Sequence, residues 1–462
     1  MKKDSERISK NRVRKGVWTM ILVGNGKLIT RNNENPLYED GCVAVEGNLI
    51  KEVGTTAELK AKYPDAEFVD AKGGTIMPGF INAHNHIYSA FARGLSIKGH
   101  NPKNFMDILD GQWWRMDRLL TNVENRYSAY ATYMEGIKCG VTTVFDHHAS
   151  YGEIKDSLFA ISDVAKELGV RTCLCYEVSD RDGEDKMKAA VLENEAFMKA
   201  TLKDDSDMQK GMMGMHAPFT LSNQTLEFCA EHKPEEYGYH IHVAEGLADV
   251  YDSLEKYNKR CVERLFDMNI LGEKTIAGHC IHINEREMEI LAQTNTMVVH
   301  NPESNMGNAV GCGPVLKMLE KGVLVGLGTD GYTNDMTESF KVANIIHKHN
   351  LCNPTVAWGE SAQMLFDNNP QIAARYFNKP LGVIKEGAYA DIIVTDYDPY
   401  TQMTPANINS HVLFGMQGRS VVTTMINGKV VYKDREFVNV DEKAMMAKIR
   451  EVSGNYWNRI NA

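Results

Sequence analysis

Pro78-Gly79-Phe80-Ile81-Asn82-Ala83-His84-Asn85-His86 is the stretch that decides how the rest of the chain is read. A β-prone run, Gly73-Gly74-Thr75-Ile76-Met77, leads into it. Side chains two apart on a strand point to the same face, so His84 and His86 can reach one point in space. Two imidazoles converging at a strand end make half of a metal site. His-x-His alone is a weak signal, and the other ligands must come from strands further along.

Those strands are present. Between residues 75 and 330 the pattern predicts eight of them: Thr75–Ile81, Thr142–Asp146, Arg171–Val178, Gly211–Met215, Tyr237–Val243, Lys274–Gly278, Thr296–Val299 and Val323–Gly328. Helical periodicity lies between most of them, over Glu124–Lys138, Ile154–Leu168 and Val250–Met268, and Glu338–Lys348 follows the last. Eight strands with helical crossovers over about 300 residues indicate a (β/α)8 barrel of the TIM type. An open doubly wound sheet would want a glycine-rich phosphate turn after its first strand, where His-x-His stands instead.

Outside this region the texture is all-β. Near the start, Thr19–Val23 runs to a turn at Gly24-Asn25-Gly26, and Val43–Glu46 and Leu49–Val53 flank Gly47-Asn48. Near the end, Val421–Ile426 and Lys429–Tyr432 flank Asn427-Gly428. Neither set is large enough to stand alone, which predicts a small composite β-sandwich from residues 18–77 and 384–440. The barrel then occupies 78–383, and 441–462 form a closing helix with Met445, Met446, Ile449, Val452 and Trp457 available to dock it.

Bulk properties narrow the function. The chain has 462 residues, 43% hydrophobic and 24% charged, with a net charge of -10. That balance argues against nucleic acid or an anionic membrane as partner and leaves a small-molecule substrate. No apolar run reaches the roughly 18 residues a membrane span needs. Residues 1–16 carry seven Lys/Arg against two acids with no apolar core behind them, the pattern of a solvated tail. Nine cysteines without a Cys-x-x-Cys pair predict reduced thiols and a cytoplasmic protein. Cys280, beside His279, reads as a small buried hydrophobe.

Barrel active sites stand where strands end and βα loops begin. Strand one ends in His84-Asn85-His86, strand two in Asp146-His147-His148, strand four in His216 and strand five in His240-Ile241-His242-Val243-Ala244-Glu245. Strand six ends in His279, strand seven in His300, and strand eight in Asp330; only strand three is read as ending without such a group. His84, His86, one histidine of strand five and Asp330 give three nitrogens and one oxygen. That set suits one divalent ion, Zn²⁺ first and Fe²⁺ second, with a position left for water. Spacing does not choose between His240 and His242, which share a face. His242 is taken as the ligand because it lies nearer the barrel mouth, with His240 one layer lower. Glu245, free of metal, is placed to carry protons across a bound substrate. Trp113 and Trp114 can stack on a planar ring, and Ser304, Asn305 and His300 are candidates to line the cavity.

These blocks resemble the amidohydrolase superfamily, and in particular its mononuclear aminohydrolase branch. The resemblance rests on Met77–His86, His242-Val-Ala-Glu245, Gly278-His279-Cys280, His300-Asn-Pro302-x-Ser-Asn305 and Gly328-Thr-Asp330. Leu381-Gly-x-Ile-x-x-Gly-x-x-Ala-Asp391 resembles the passage back into the terminal sandwich. Trp113–Asp117, Asp146–Ser150 and Phe414-Gly-Met416 are similar to the SsnA-type aminohydrolases, a group linked to selenium-dependent purine catabolism. The resemblance implies His84, His86, His242 and Asp330 as metal ligands, Glu245 for proton transfer, and His279 as the group that orients the attacking hydroxide or polarises the bond attacked. It implies His216 as a substrate contact, and it implies a homo-oligomer, a dimer first. No lysine ends strand four, where binuclear relatives carry a bridging one, so a single metal is implied.

The expected reaction is deamination of a purine-like or related nitrogen heterocycle. The ion lowers the pKa of water toward ~7, Asp330 takes its proton, and ammonia leaves. Hydrolysis of a cyclic amide or of a C–Cl bond by the same hydroxide is the alternative.

Overall fold

The computed structural model describes residues 20–462; the basic tail and the strand start at Thr19 lie outside the described residues. Eight parallel strands form the centre. They are Phe80–Asn85, Val141–His148, Arg171–Tyr176, Gln209–Gly211 continued by Met213–Met215, Tyr239–Val243, Ile276–His279, Met297–His300 and Val325–Leu327. Neighbours pair in parallel in that order. Two single bridges close the circle, Val178 with Met215 and Asn85 with Asp330. The fold is therefore the expected (β/α)8 barrel, and its last closure joins the His-x-His segment directly to the strand-eight aspartate.

Every residue of Val141–His148, Arg171–Tyr176 and Tyr239–Val243 is buried, as parallel strands covered on both faces require. Helices fill most crossovers. Asn122–Lys138 starts where the Thr121 N–H and hydroxyl both donate to Glu124 Oε2, at 2.9 and 2.6 Å. The long helix expected over 250–268 is two, Leu247–Tyr257 and Cys261–Asp267, because Asn258 turns through φ 53° and ends the first.

The strand expected over 75–81 is also two. Thr75–Pro78 belongs to a second sheet and Phe80–Asn85 to the barrel, with Gly79 between them. A Cβ on Gly79 would come within 2.2 Å of Thr142, so only glycine passes here. Thr75–Pro78 pairs antiparallel with Ile392–Thr395 and parallel with Met20–Ile29. Hairpins from the two chain ends thereby join into one nine-stranded sheet with a core cluster of its own. The turn expected at Gly24-Asn25-Gly26 is a bulged stretch inside the continuous strand Met20–Ile29. Asn25 takes φ 63° there, and its N–H is held by Thr56 Oγ1 at 2.9 Å. The Asn427-Gly428 turn has positive φ at both residues, 51° and 75°, as a two-residue hairpin loop requires. A closing helix, Glu442–Ile460, buries Ile449, Val452, Tyr456 and Ile460.

Candidate functional site

The carboxyl ends of the strands converge on one buried cluster. His86 Nε2 lies 3.2 Å from His242 Nε2 and 3.1 Å from Asp330 Oδ1. Ligand-type atoms of His84, His86 and Asp330 all lie within 4.8 Å of one another, as do those of His84, His242 and His279. Two ligands of one ion with bonds of about 2.0–2.1 Å stand a little over 3 Å apart, so these spacings suit one small divalent cation.

Hydrogen bonds behind the imidazoles fix which nitrogen faces the centre. His86 Nδ1 donates to the His147 carbonyl at 2.5 Å, and His242 Nδ1 donates to the His216 carbonyl at 2.8 Å. Each therefore presents a bare Nε2 inward. His84 Nδ1 meets His240 Nε2 at 2.8 Å, which leaves His84 Nε2 buried and without a partner among the described residues. A buried ring nitrogen with nothing to bond is costly unless something fills the space it faces. The donor set of three nitrogens and one carboxylate thus fits a divalent ion on the residues' own geometry. His240 has a specific task as well, since it holds the ring of His84. Electrostatics agree that positive charge belongs here. Burial works against charge at His86 while the Asp330 and Glu177 carboxylates favour it, so these surroundings stabilise a cation next to the bare Nε2.

On the other side of Asp330 stand His279 and Glu245. His279 Nδ1 donates to Asn305 Oδ1 at 2.8 Å, which turns a bare Nε2 toward Asp330 Oδ2 at 3.5 Å and Glu245 Oε2 at 3.7 Å. Ser304 Oγ donates to Asp330 Oδ2 at 2.6 Å, and the Gly331 N–H donates to Oδ1 at 2.6 Å. Glu245 is partly buried, and burial pushes its carboxyl up to about 7, close to the pKa a proton shuttle at neutral pH needs. Ala244, His279, Cys280 and Asp330 turn through left-handed backbone at φ 49°, 67°, 50° and 56°. Such strain in non-glycine residues concentrates where side chains must be aimed.

Above the cluster lies a cavity of about 250 Å³. His86, His242, Glu245 and Asp330 form its floor, and Trp113, Trp114, Phe105 and Leu109 its apolar side. Trp114 packs edge-on to His216 with ring centroids 6.1 Å apart. His216 lines the cavity too, with Nδ1 held by Thr220 Oγ1 at 2.9 Å. Asn305, by contrast, sits behind His279 and its side-chain oxygen is taken up there, so it supports the wall without lining it. Ser304 lines the cavity; His300 does not, and it stacks against His347 at 5.0 Å. His148 bonds Ser150 Oγ at 2.9 Å, away from the cluster. His147 bridges the His240 carbonyl and Glu177 Oε1, each at 3.0 Å.

Glu177 is the group the strand-end reading passed over. The third strand stops at Tyr176, so Glu177 and not Val178 stands at the barrel mouth, where it is 3% exposed and lines the cavity. Burial would raise its carboxyl, but the bond to His147 and the neighbouring imidazoles carry it down to about 2. A strand boundary placed two residues earlier would have exposed it.

Comparison with known proteins places this geometry. A match to the amidohydrolase family spans residues 75–431, and residues 41–66 match an imidazolonepropionase-like composite domain of bacteria. The chain is 34% identical over 420 residues to a 5-methylthioadenosine/S-adenosylhomocysteine deaminase of Thermococcus sibiricus, covering 89% of this chain and 93% of that one. It is 30% identical over 451 residues to a 5'-deoxyadenosine deaminase of Methanosarcina barkeri, covering 96% and 99%. A solved adenosine deaminase from Xanthomonas campestris with bound zinc superposes with a TM-score of 0.81 at 22% identity, over 95% of this chain and 98% of that one.

Proposed function

The chain belongs to the amidohydrolase family, and from that premise we propose that it is a metal-dependent aminohydrolase releasing ammonia from a purine-like nitrogen heterocycle. The observation that carries this reading is a convergence. His84, His86 and Asp330, whose ligand-type atoms cluster, and His242, 3.2 Å from His86, stand beside a carboxyl pushed up to about 7, under an aromatic cavity sized for a small planar ring. The relatives named as deaminases of adenosine derivatives support the choice of substrate.

In this reading His84, His86, His242 and Asp330 hold one divalent ion, zinc first. Bound there, the ion supplies Lewis acidity and brings the pKa of water toward ~7. Asp330, oriented by Ser304 and the Gly331 N–H, accepts the proton of the attacking water. His279, its far nitrogen tied to Asn305, orients that water with its free Nε2. Glu245 gives its proton to the ring nitrogen next to the carbon attacked, so that carbon becomes tetrahedral without building charge on the ring. On collapse the proton held by Asp330 passes to the amine, which leaves as ammonia. Glu245 takes back a proton from the new hydroxyl, and a carbonyl remains. Trp113 and Trp114 cover the ring and exclude bulk water.

The same reading takes residues 18–77 and 384–440 as one composite domain and the enzyme as a cytoplasmic homodimer, which sedimentation at micromolar concentration checks directly. Among the described residues no helix is long and apolar enough to cross a membrane. Zinc-loaded protein screened for ammonia across purines, nucleosides and their oxidised products tests the activity. Ammonia from at least one of them is expected. An acid product from a cyclic amide, or chloride from a chlorinated ring, without ammonia would replace deamination by the alternative hydrolysis.

A further inference from the structure

The catalytic groups described so far occupy strands one, five, six and eight. Strands three and four supply a different wall, built from Glu177 and His216, with His147 of strand two behind Glu177. Glu177 lines the cavity; its Oε1 is committed to His147 Nδ1 at 3.0 Å, while Oε2 has no hydrogen-bond partner among the described residues. His216 Nε2 stands 4.0 Å from that oxygen. The Thr220 hydroxyl donates to the Ala217 carbonyl at 3.0 Å, so its lone pair takes the His216 Nδ1 hydrogen and a neutral His216 shows a bare Nε2 to the cavity. Two acceptors thus stand side by side on the cavity wall that strands three and four supply. No lysine or arginine lines the cavity among the described residues. Arg93, in the adjoining recess, is bonded twice to Glu135 at 2.8 and 2.7 Å, and Arg181, behind Trp114, is paired with Asp117.

We propose that Glu177 and His216 form the specificity wall of this site, selecting an uncharged heterocycle that offers N–H or O–H donors on the flank away from the reacting carbon and turning away anionic substituents. The physical reason is that a donor on the substrate gains a charge-assisted bond to Glu177 Oε2, whereas a carboxylate or phosphate there meets two acceptors and no free cation. The inference rests on the deaminase reading for the orientation of the substrate, and it narrows the substrate class within it.

The test measures binding and turnover separately on the full-length, zinc-loaded protein. Calorimetric affinities are taken with Glu245→Gln, which arrests proton transfer, alone and combined with Glu177→Gln. The probes are adenosine against 2',3'-dideoxyadenosine, 2,6-diaminopurine against adenine, and adenosine against adenosine 5'-monophosphate and S-adenosylhomocysteine. Removing the donor in at least one of the first two pairs is expected to weaken binding about tenfold or more, as is adding the anion in the third. Glu177→Gln should bring those ratios toward one while zinc content stays unchanged. Equal loss for every probe, ratios unmoved by the substitution, or no binding by any probe overturns the proposal. Ammonia release by the otherwise wild-type enzyme is followed on the same compounds. Selective binding without ammonia would sink deamination and leave the wall standing. Ammonia with flat selectivity would do the reverse.

Discussion

Glu245 and His240 show how two side chains on one strand end divide the work. Glu245 is three residues past the proposed ligand His242 and keeps a carboxyl raised by burial to about 7. Glu245→Gln is therefore expected to retain the metal and lose roughly 10²–10⁴-fold in turnover, because a carboxamide keeps the shape but moves no proton. Metal analysis beside a rate assay checks this, and near-normal turnover would remove the role. His240 is more instructive. Read as an interior residue one layer below the ligands, it should matter only for stability. Its 2.8 Å contact with His84 Nδ1 gives it a second effect, because it fixes the ring of a proposed ligand. His242→Ala should strip a ligand and abolish tight metal binding. His240→Ala should weaken metal affinity by about 10–100-fold, the usual cost of losing a residue that orients a ligand. Zinc titration of both variants separates the two, and full metal affinity in the His240 variant would deny the orienting contact.

At the scale of elements, the strand ends do more than carry residues. The eighth strand passes so close to the first that a Cβ on Gly328 would stand 2.8 Å from His84 Cβ and 2.9 Å from its carbonyl oxygen. Gly328→Ala must therefore push the first strand and its histidines outward. The expected result is a loss of about 1–3 kcal/mol, the typical cost of overpacking, together with reduced zinc occupancy. Thermal unfolding and metal content measured on the same sample check it. The closing helix has a comparable reach. Its Tyr456 hydroxyl donates to the Met116 carbonyl at 2.8 Å, its Trp457 Nε1 donates to the Phe91 carbonyl at 2.7 Å, and Arg115 reaches back to the Ile460 carbonyl at 2.6 Å. The segment so held carries Trp113 and Trp114 over the cavity. Deleting residues 441–462 is expected to raise KM by about tenfold, roughly one anchored aromatic's worth of binding, with kcat changed much less. An unchanged KM would show that the segment holds its place without the helix.

For the whole molecule, the joint between the barrel and the nine-stranded sheet rests on a buried ion pair. Arg171, at the start of the third barrel strand, meets Asp391 at 3.4 Å, and both side chains are at most 1% exposed. Asp391 also accepts the Asn427 N–H at 2.7 Å, and Arg171 donates to the Asp207 carbonyl at 2.6 Å. Asp391→Ala would strand a guanidinium in the interior, which costs about 3–5 kcal/mol. A fall in the unfolding free energy of that order is expected. A loss below about 1 kcal/mol would mean that Arg171 is carried by its other partners.

Residue type and spacing along the chain determined the barrel, the strand ends that meet at its mouth, and the histidines and acids standing there, because strand periodicity and loop chemistry are local. Met77–His86 and Gly328–Asp330 carry that information in a few residues each. Tertiary structure alone decided which nitrogen of each imidazole faces the centre, since the partners that settle it, His147, His216, His240 and Asn305, come from other strands and loops. It also decided that Glu177 reaches the cavity. That depends on where the third strand leaves its pairing, and hydrophobic pattern places such an edge only to within a few residues. The break at Gly79 was hidden for a related reason. A β-prone run looks the same whether it continues in one sheet or crosses between two, and only the contact with Thr142 forces the crossing. The place of Glu245 near the cluster was legible as a spacing, but the burial that raises its carboxyl belongs to the assembled barrel mouth.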